Sequence, residues 1–264
     1  PASCWVSCPG VVRGIVSQAD KDREGSMNTL LVGFDSAWTP GNKGALVGAL
    51  MNHGGAMQEL GPPTAADFPA AAGLIRTWQE QHVPERTLIL LDQPTVVPNA
   101  SGQRPVENLV ASPVSLRYGG VQPANTSRKD MFGAEAPVWP FLASFGGEAD
   151  PLAILSGTHV LETFPVPAMI ALGWLMPDSR TTGRLPKYNP ERKKTFNIEE
   201  WRHVCNAAAA ELRNLRLKET AHWLDQAAME RAPRKALQDG LDSCICLLVA
   251  AKLAGGAQGL FVGN

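Results

Sequence analysis

Five acidic positions carry the chemistry this sequence can offer. Asp35 follows Thr29-Leu-Leu-Val-Gly-Phe34, Asp92 follows Thr87-Leu-Ile-Leu-Leu91 and Glu162 follows His159-Val-Leu161, so three apolar runs each end in a carboxylate. Asp239 and Asp242 stand three residues apart, a spacing that puts both on one face of a helix. Beyond Asp242 the run Cys244-Ile-Cys-Leu-Leu-Val-Ala-Ala251 is apolar all round, the pattern of a buried helix. Asp242 therefore opens a dry segment, where an ionised carboxylate needs a partner or takes up a proton. A basic side chain, a helix N-terminus or a metal ion can each be that partner. Two carboxylates about 4 Å apart repel by roughly 1 kcal/mol in bulk water and about 4 kcal/mol at an effective dielectric of 20. Convergence of Asp35, Asp92, Glu162 and Asp242 would add several such terms and call for a divalent cation. Oxygen ligands favour Mg2+ or Mn2+, and no histidine or cysteine stands at a spacing that favours zinc. Two such ions about 3.5–4 Å apart would activate a water and stabilise the leaving oxygen of a phosphodiester. A lone Asp after a strand is, by contrast, ordinarily a turn former or a helix cap.

The elements that must position these acids read as follows. Residues 29–34 form a short buried strand, 44–51 a second and 56–60 a weaker third, joined by tight connections that suggest an antiparallel meander. Asp67 caps a helix with Ala70, Leu74, Ile75 and Trp78 on one face. The helix leads to strand 87–91, and a helix between apolar strands is the mark of a parallel crossover. In parallel and mixed sheets, ligands bind at the C-terminal ends of the strands, where Asp35, Asp92 and Glu162 fall. Residues 93–157 are dense in Pro, Gly, Ser and Asn and read as a lid or insertion. An amphipathic helix is expected over 198–217, with Ile198, Trp201, Cys205, Ala208, Leu212 and Leu215 along one stripe. A last helix spans about 234–253 and ends at Gly255-Gly256.

Composition narrows the class. The chain has 264 residues, 24 basic and 25 acidic, so a net charge of −1 argues against a broadly basic coat for nucleic acid while allowing a local patch. No apolar run approaches the roughly 18 residues of a membrane span. Five scattered cysteines do not make a disulfide framework, and a cytoplasmic location is expected. Residues 1–26 lack the pattern of a secretory signal. They read as a tag or disordered arm, with Gly25-Ser26-Met27 as its junction and a genuine mobile arm as the alternative. Residues 27–264 are then one domain.

The segments Val32-Gly-Phe-Asp35-Ser-Ala-Trp38, Leu90-Leu-Asp92-Gln-Pro94, Gly102-Gln-Arg-Pro105, Glu162-Thr-Phe-Pro165, Leu185-Pro-Lys-Tyr188 and Asp239-Gly-Leu-Asp242 occur in this order. Together they resemble the DUF429 family of predicted nucleases with a ribonuclease H-like fold, over roughly residues 28–255. The resemblance implies an α/β domain with a mixed five-stranded sheet, three antiparallel strands followed by two parallel ones, flanked by helices. It also implies a metal site in which Asp35 lies beside Asp92 and the last helix supplies Asp242, with Asp239 as a further ligand. Glu162 falls in the family's Glu-x-x-Pro segment, as a fourth catalytic carboxylate or a support. Val106 departs from the pattern, since many relatives carry cysteine after the Arg-Pro step.

The basic stretch holding Arg184, Lys187, Lys193 and Lys194 can contact phosphates or be a solvated loop. Trp38 can stack on a base or serve a core or lid. His53, His159 and His203 are dispersed, as structural or surface groups are. The leading expectation is a nuclease dependent on Mg2+ or Mn2+, with nucleic acid as substrate and Asp35, Asp92, Glu162 and Asp242 as the catalytic set. Two alternatives stand beside it. One is an inactive nucleic-acid or nucleotide-binding module of the same fold. The other is an ATP-using ribonuclease H-like relative, disfavoured by chain length and by the lack of a second glycine-rich phosphate loop.

Overall fold

The computed structural model describes residues 27–118, 121–147, 149, 154, 156–179 and 181–256. The expected tag or arm at 1–26 and Arg180 of the basic stretch lie outside them. Strands β1 (Thr29–Asp35) and β2 (Gly44–Met51) are buried along their whole length, as their unbroken apolar sequences require. They pair antiparallel, with Asp35 opposite Ala45. The next edge position is shared by two short strands, β3 (Met57–Glu59) and β4 (Thr64–Ala66), which pair with opposite halves of β2. Gly61-Pro62-Pro63 interrupts them; two consecutive prolines cannot donate to a ladder, so the edge strand breaks there.

Helix α1 (Phe68–His82), capped by the Asp67 side chain on Ala70 N, returns the chain to β5 (Arg86–Leu91), parallel to β1. Strand β6 (Gly157–Glu162) then adds parallel to β5. The result is a mixed sheet with five strand positions in the order β3-β2-β1-β5-β6, β4 sharing the position of β3, flanked by helices as the resemblance implies. The parallel set β1, β5 and β6 brings Asp35, Asp92 and Glu162 to one edge.

Side-chain alternation gives the sheet two dry faces. Leu30, Val32, Phe34, Ile89, Leu91 and Val160 pack against α1. Leu31, Leu88, Leu90 and Leu161 pack against the C-terminal helices α6 (Ile198–Asn214), α7 (Lys218–Met229) and α8 (Lys235–Ala254). Helix α8 lies directly on β1, and Gly33 is what permits it. A Cβ there would stand 2.0 Å from the Ser243 carbonyl oxygen and 2.5 Å from Leu247 N.

Two stretches differ from the sequence expectation. The Pro-rich segment contains short helices α2 (Pro105–Arg117), α3 (Lys129–Phe132) and α4 (Val138–Ala143), and α5 (Pro165–Ala171) follows β6. Their lengths are too short, and their prolines too frequent, for a helical period to show. The helix expected over 198–217 ends at Asn214, and the chain turns through Arg216 at φ 66° into α7. Leu212, Leu215 and Leu217 carry the apolar stripe past the turn, so periodicity alone hides the break. Among the described residues no helix is long and apolar enough to cross a membrane.

Candidate metal centre

Sheet register decides which acids meet. Asp92 N donates to Phe34 O at 2.8 Å, which sets Asp92 level with Asp35 just beyond the end of the ladder. Asp35 lies two residues past Gly33, so both project toward α8, from which Asp242 arrives. Asp35, Asp92 and Asp242 each offer a carboxylate oxygen, and these atoms all lie within 4.8 Å of one another. Asp35 and Asp242 are 3% exposed and Asp92 is half-buried.

Glu162 does not join them. It pairs in register with Leu91 and so belongs to the row of Phe34 and Leu91, which faces α1 on the other side of the sheet. There the guanidinium of Arg104 grips it in a fork, 2.8 Å from Nη1 to Oε2 and 2.6 Å from Nη2 to Oε1, and Thr95 N donates to Oε2 at 3.3 Å. Arg104 is itself buried and pairs at 2.9 Å with buried Glu107, which also accepts from Ala124 N at 3.0 Å. Asp239 is not one of the three but lies on the same face beside them, in an ion pair with Lys235 one turn earlier on α8 and in hydrogen-bond contact with the Asp35 side chain.

The motif segments that carried the resemblance meet in pairs on the two faces of the sheet end. Ser36 donates to Gln93 at 2.5 Å, and Gln93 donates to Met131 O at 3.1 Å, clamping the ends of β1 and β5 to α3. Arg104 of Gly102-Gln-Arg-Pro105 holds Glu162. Tyr188 of Leu185-Pro-Lys-Tyr188 donates its hydroxyl to Asp242 Oδ1 at 2.7 Å, while Gln238 Nε2 donates to Oδ2 at 2.9 Å. Each Asp242 oxygen thus keeps lone-pair capacity for a further ligand.

Tyr188 is delivered by a braced loop. Arg184 directs both terminal guanidinium nitrogens at buried Glu200, at 2.7 and 2.6 Å, and Lys187 N donates to the same carboxylate at 2.6 Å. Asn197 N closes the loop onto Lys187 O at 2.8 Å. Arg184 therefore anchors the basic stretch, while Lys187, Lys193 and Lys194 are exposed. Trp38, at φ 62°, packs edge-on against Phe132 with ring centroids 5.8 Å apart.

Electrostatics follow from burial and crowding. Burial first, and then Asp92 and Asp242, push the Asp35 carboxyl well above the usual carboxylate range. Asp92 is raised by burial and by Asp242. Asp242 is pushed by burial up to about 6, against the hydrogen bonds from Tyr188 and Gln238 that favour its charged form. Tyr188 rises through burial and the charge of Asp242, so its hydroxyl stays a donor. Burial opposes the charge of Lys235, but Asp35 and Asp239 hold its proton more firmly than usual.

The donor set fits a hard divalent cation: three carboxylates and no histidine or cysteine. A second observation points the same way. Gln238 is 7% exposed, its amide nitrogen is bound to Asp242, and its buried Oε1 has no hydrogen-bond partner among the described residues. Such an orphaned acceptor beside an acid cluster suits a cation or a cation's water. Sequence reasoning missed Gln238 and Lys235, although their spacing of four from Asp242 and Asp239 was a helical signal.

The family model described as "Protein of unknown function (DUF429)" matches residues 33–264. No curated protein and no solved structure matches the chain.

Proposed function

The chain belongs to the DUF429 family, and on that footing we propose that it is a metal-dependent phosphodiesterase that hydrolyses nucleic acid. The observation that carries this reading is the buried convergence of Asp35, Asp92 and Asp242 at the C-terminal edge of the sheet. Mg2+ or Mn2+ held there would supply Lewis-acid activation of a water and neutralise charge on the phosphate. Strand β1 carries Asp35, and the bond from Asp92 N to Phe34 O sets Asp92 beside it, so the sheet positions both backbones for a shared ion. Asp242 is oriented by Tyr188 and Gln238, the kind of outer support that fixes a ligand carboxylate. Glu162, kept on the far face by Arg104, braces the Asp92-Gln-Pro94 turn through Thr95 N. Lys187, Lys193 and Lys194 would contact phosphates of the substrate backbone, fixing position without reading sequence.

The test is cleavage of single-stranded, double-stranded and branched DNA and RNA with Mn2+ or Mg2+, alongside Asp35→Asn. Cleavage that needs the ion and disappears in the folded variant is expected. Binding of these substrates without any cleavage would instead make the chain an inactive binding module.

A further inference from the structure

The acids on α8 have different partners. Asp242 joins Asp35 and Asp92, whereas Asp239 Oδ1 is paired with Lys235 Nζ. Asp239 is also hydrogen-bonded to the Asp35 side chain, so the ammonium stands one side chain away from the triad. Helix physics does not explain a lysine at that position. Lys235 is the first residue of α8, where the helix dipole disfavours a cation. Lys before Asp at a spacing of four is also the weaker order for a helical ion pair. What the position does offer is Asp239, a nearly fully buried carboxylate one turn from the triad member Asp242.

A second divalent ion beside the first would need a carboxylate beyond the triad, and Asp239 is the one that α8 places next to Asp242. Lys235 already holds it. Gln238, whose amide nitrogen holds Asp242, keeps its buried Oε1 unpartnered, an oxygen available to a single ion without recruiting Asp239. Taking the triad as the metal site, we propose that the centre binds one divalent cation and that the Lys235 ammonium, paired with Asp239, replaces a second. The two-ion arrangement expected from the sequence then becomes one ion and one fixed side-chain cation. Unlike an ion, the ammonium cannot dissociate, and its half-exposed side chain leaves it able to meet an anionic phosphate oxygen.

Titration of the metal-free full chain with MnCl2, read by calorimetry and by electron paramagnetic resonance, tests this. The wild type is expected to take one Mn2+ per chain and to show an isolated six-line spectrum. Lys235→Met should take two, with the broadening of a coupled ion pair, and adding Asp239→Asn should return it to one. Lys235→Arg, which keeps the charge, should stay at one. Two coupled ions in the wild type, or a folded Lys235→Met that still takes one, would overturn the proposal. Uptake of no Mn2+ by the wild type would overturn the metal reading of the triad itself, a result distinct from either.

Discussion

Asp35→Asn should stabilise the metal-free protein while removing its response to metal. At 4.8 Å and an effective dielectric of 20, one carboxylate pair repels by about 3.5 kcal/mol, and Asp35 belongs to two of the triad's three pairs. Proton uptake on Asp35, whose carboxyl is pushed well above the usual range by burial and then by Asp92 and Asp242, relieves part of this. Asparagine keeps the shape and removes the charge, so a gain of about 2–3 kcal/mol is expected at pH 8. For a chain of this size that is about 4–12 °C in Tm. The assay is thermal unfolding in EDTA and again in excess Mn2+. Wild type should start lower and rise with Mn2+, whereas Asp35→Asn should start higher and not move. A variant that melts below wild type in EDTA would refute the reasoning, because it would mean that Asp35 is a charge-compensated structural group.

The raised acids also set a pH dependence. Between pH 4 and 6 the native metal-free state holds a proton on Asp242 that the unfolded chain has released, so this group's stabilisation is lost as pH rises through about 6. The stability difference between wild type and Asp242→Asn should therefore shift against wild type across that window in urea titrations, and Mn2+ affinity should climb with pH over the same range. Tyr188→Phe removes the donor to Asp242 Oδ1 and should weaken Mn2+ binding about 10-fold without unfolding the protein, as calorimetry and circular dichroism would show. Arg104→Met leaves buried Glu107 without its counter-charge and should cost about 3–5 kcal/mol in urea unfolding. Glu162→Gln, at a partly exposed carboxylate, should cost far less.

The triad was legible in the sequence because each of its members ends or opens an apolar segment, and burial of such a segment commits its carboxylate to the interior. Strand order around Asp35 and Asp92 was legible for a similar reason: the helix capped by Asp67 forces a parallel return. Glu162 shared the same local signature yet falls on the opposite face. Whether a strand-end residue points toward α8 or α1 depends on register with β5, and a one-residue offset reverses the face. Tyr188 lies in a loop whose conformation is set by the distant Glu200, so no periodicity announces it. The turn at Arg216 was masked by a leucine stripe that continues through it.

The most direct test of the metal centre is anomalous diffraction from crystals of this chain grown with Mn2+. The expected result is a manganese peak about 2.0–2.4 Å from oxygens of Asp35, Asp92 and Asp242. Contradiction would be a triad bridged by a lysine or arginine side chain, with no manganese between the three carboxylates.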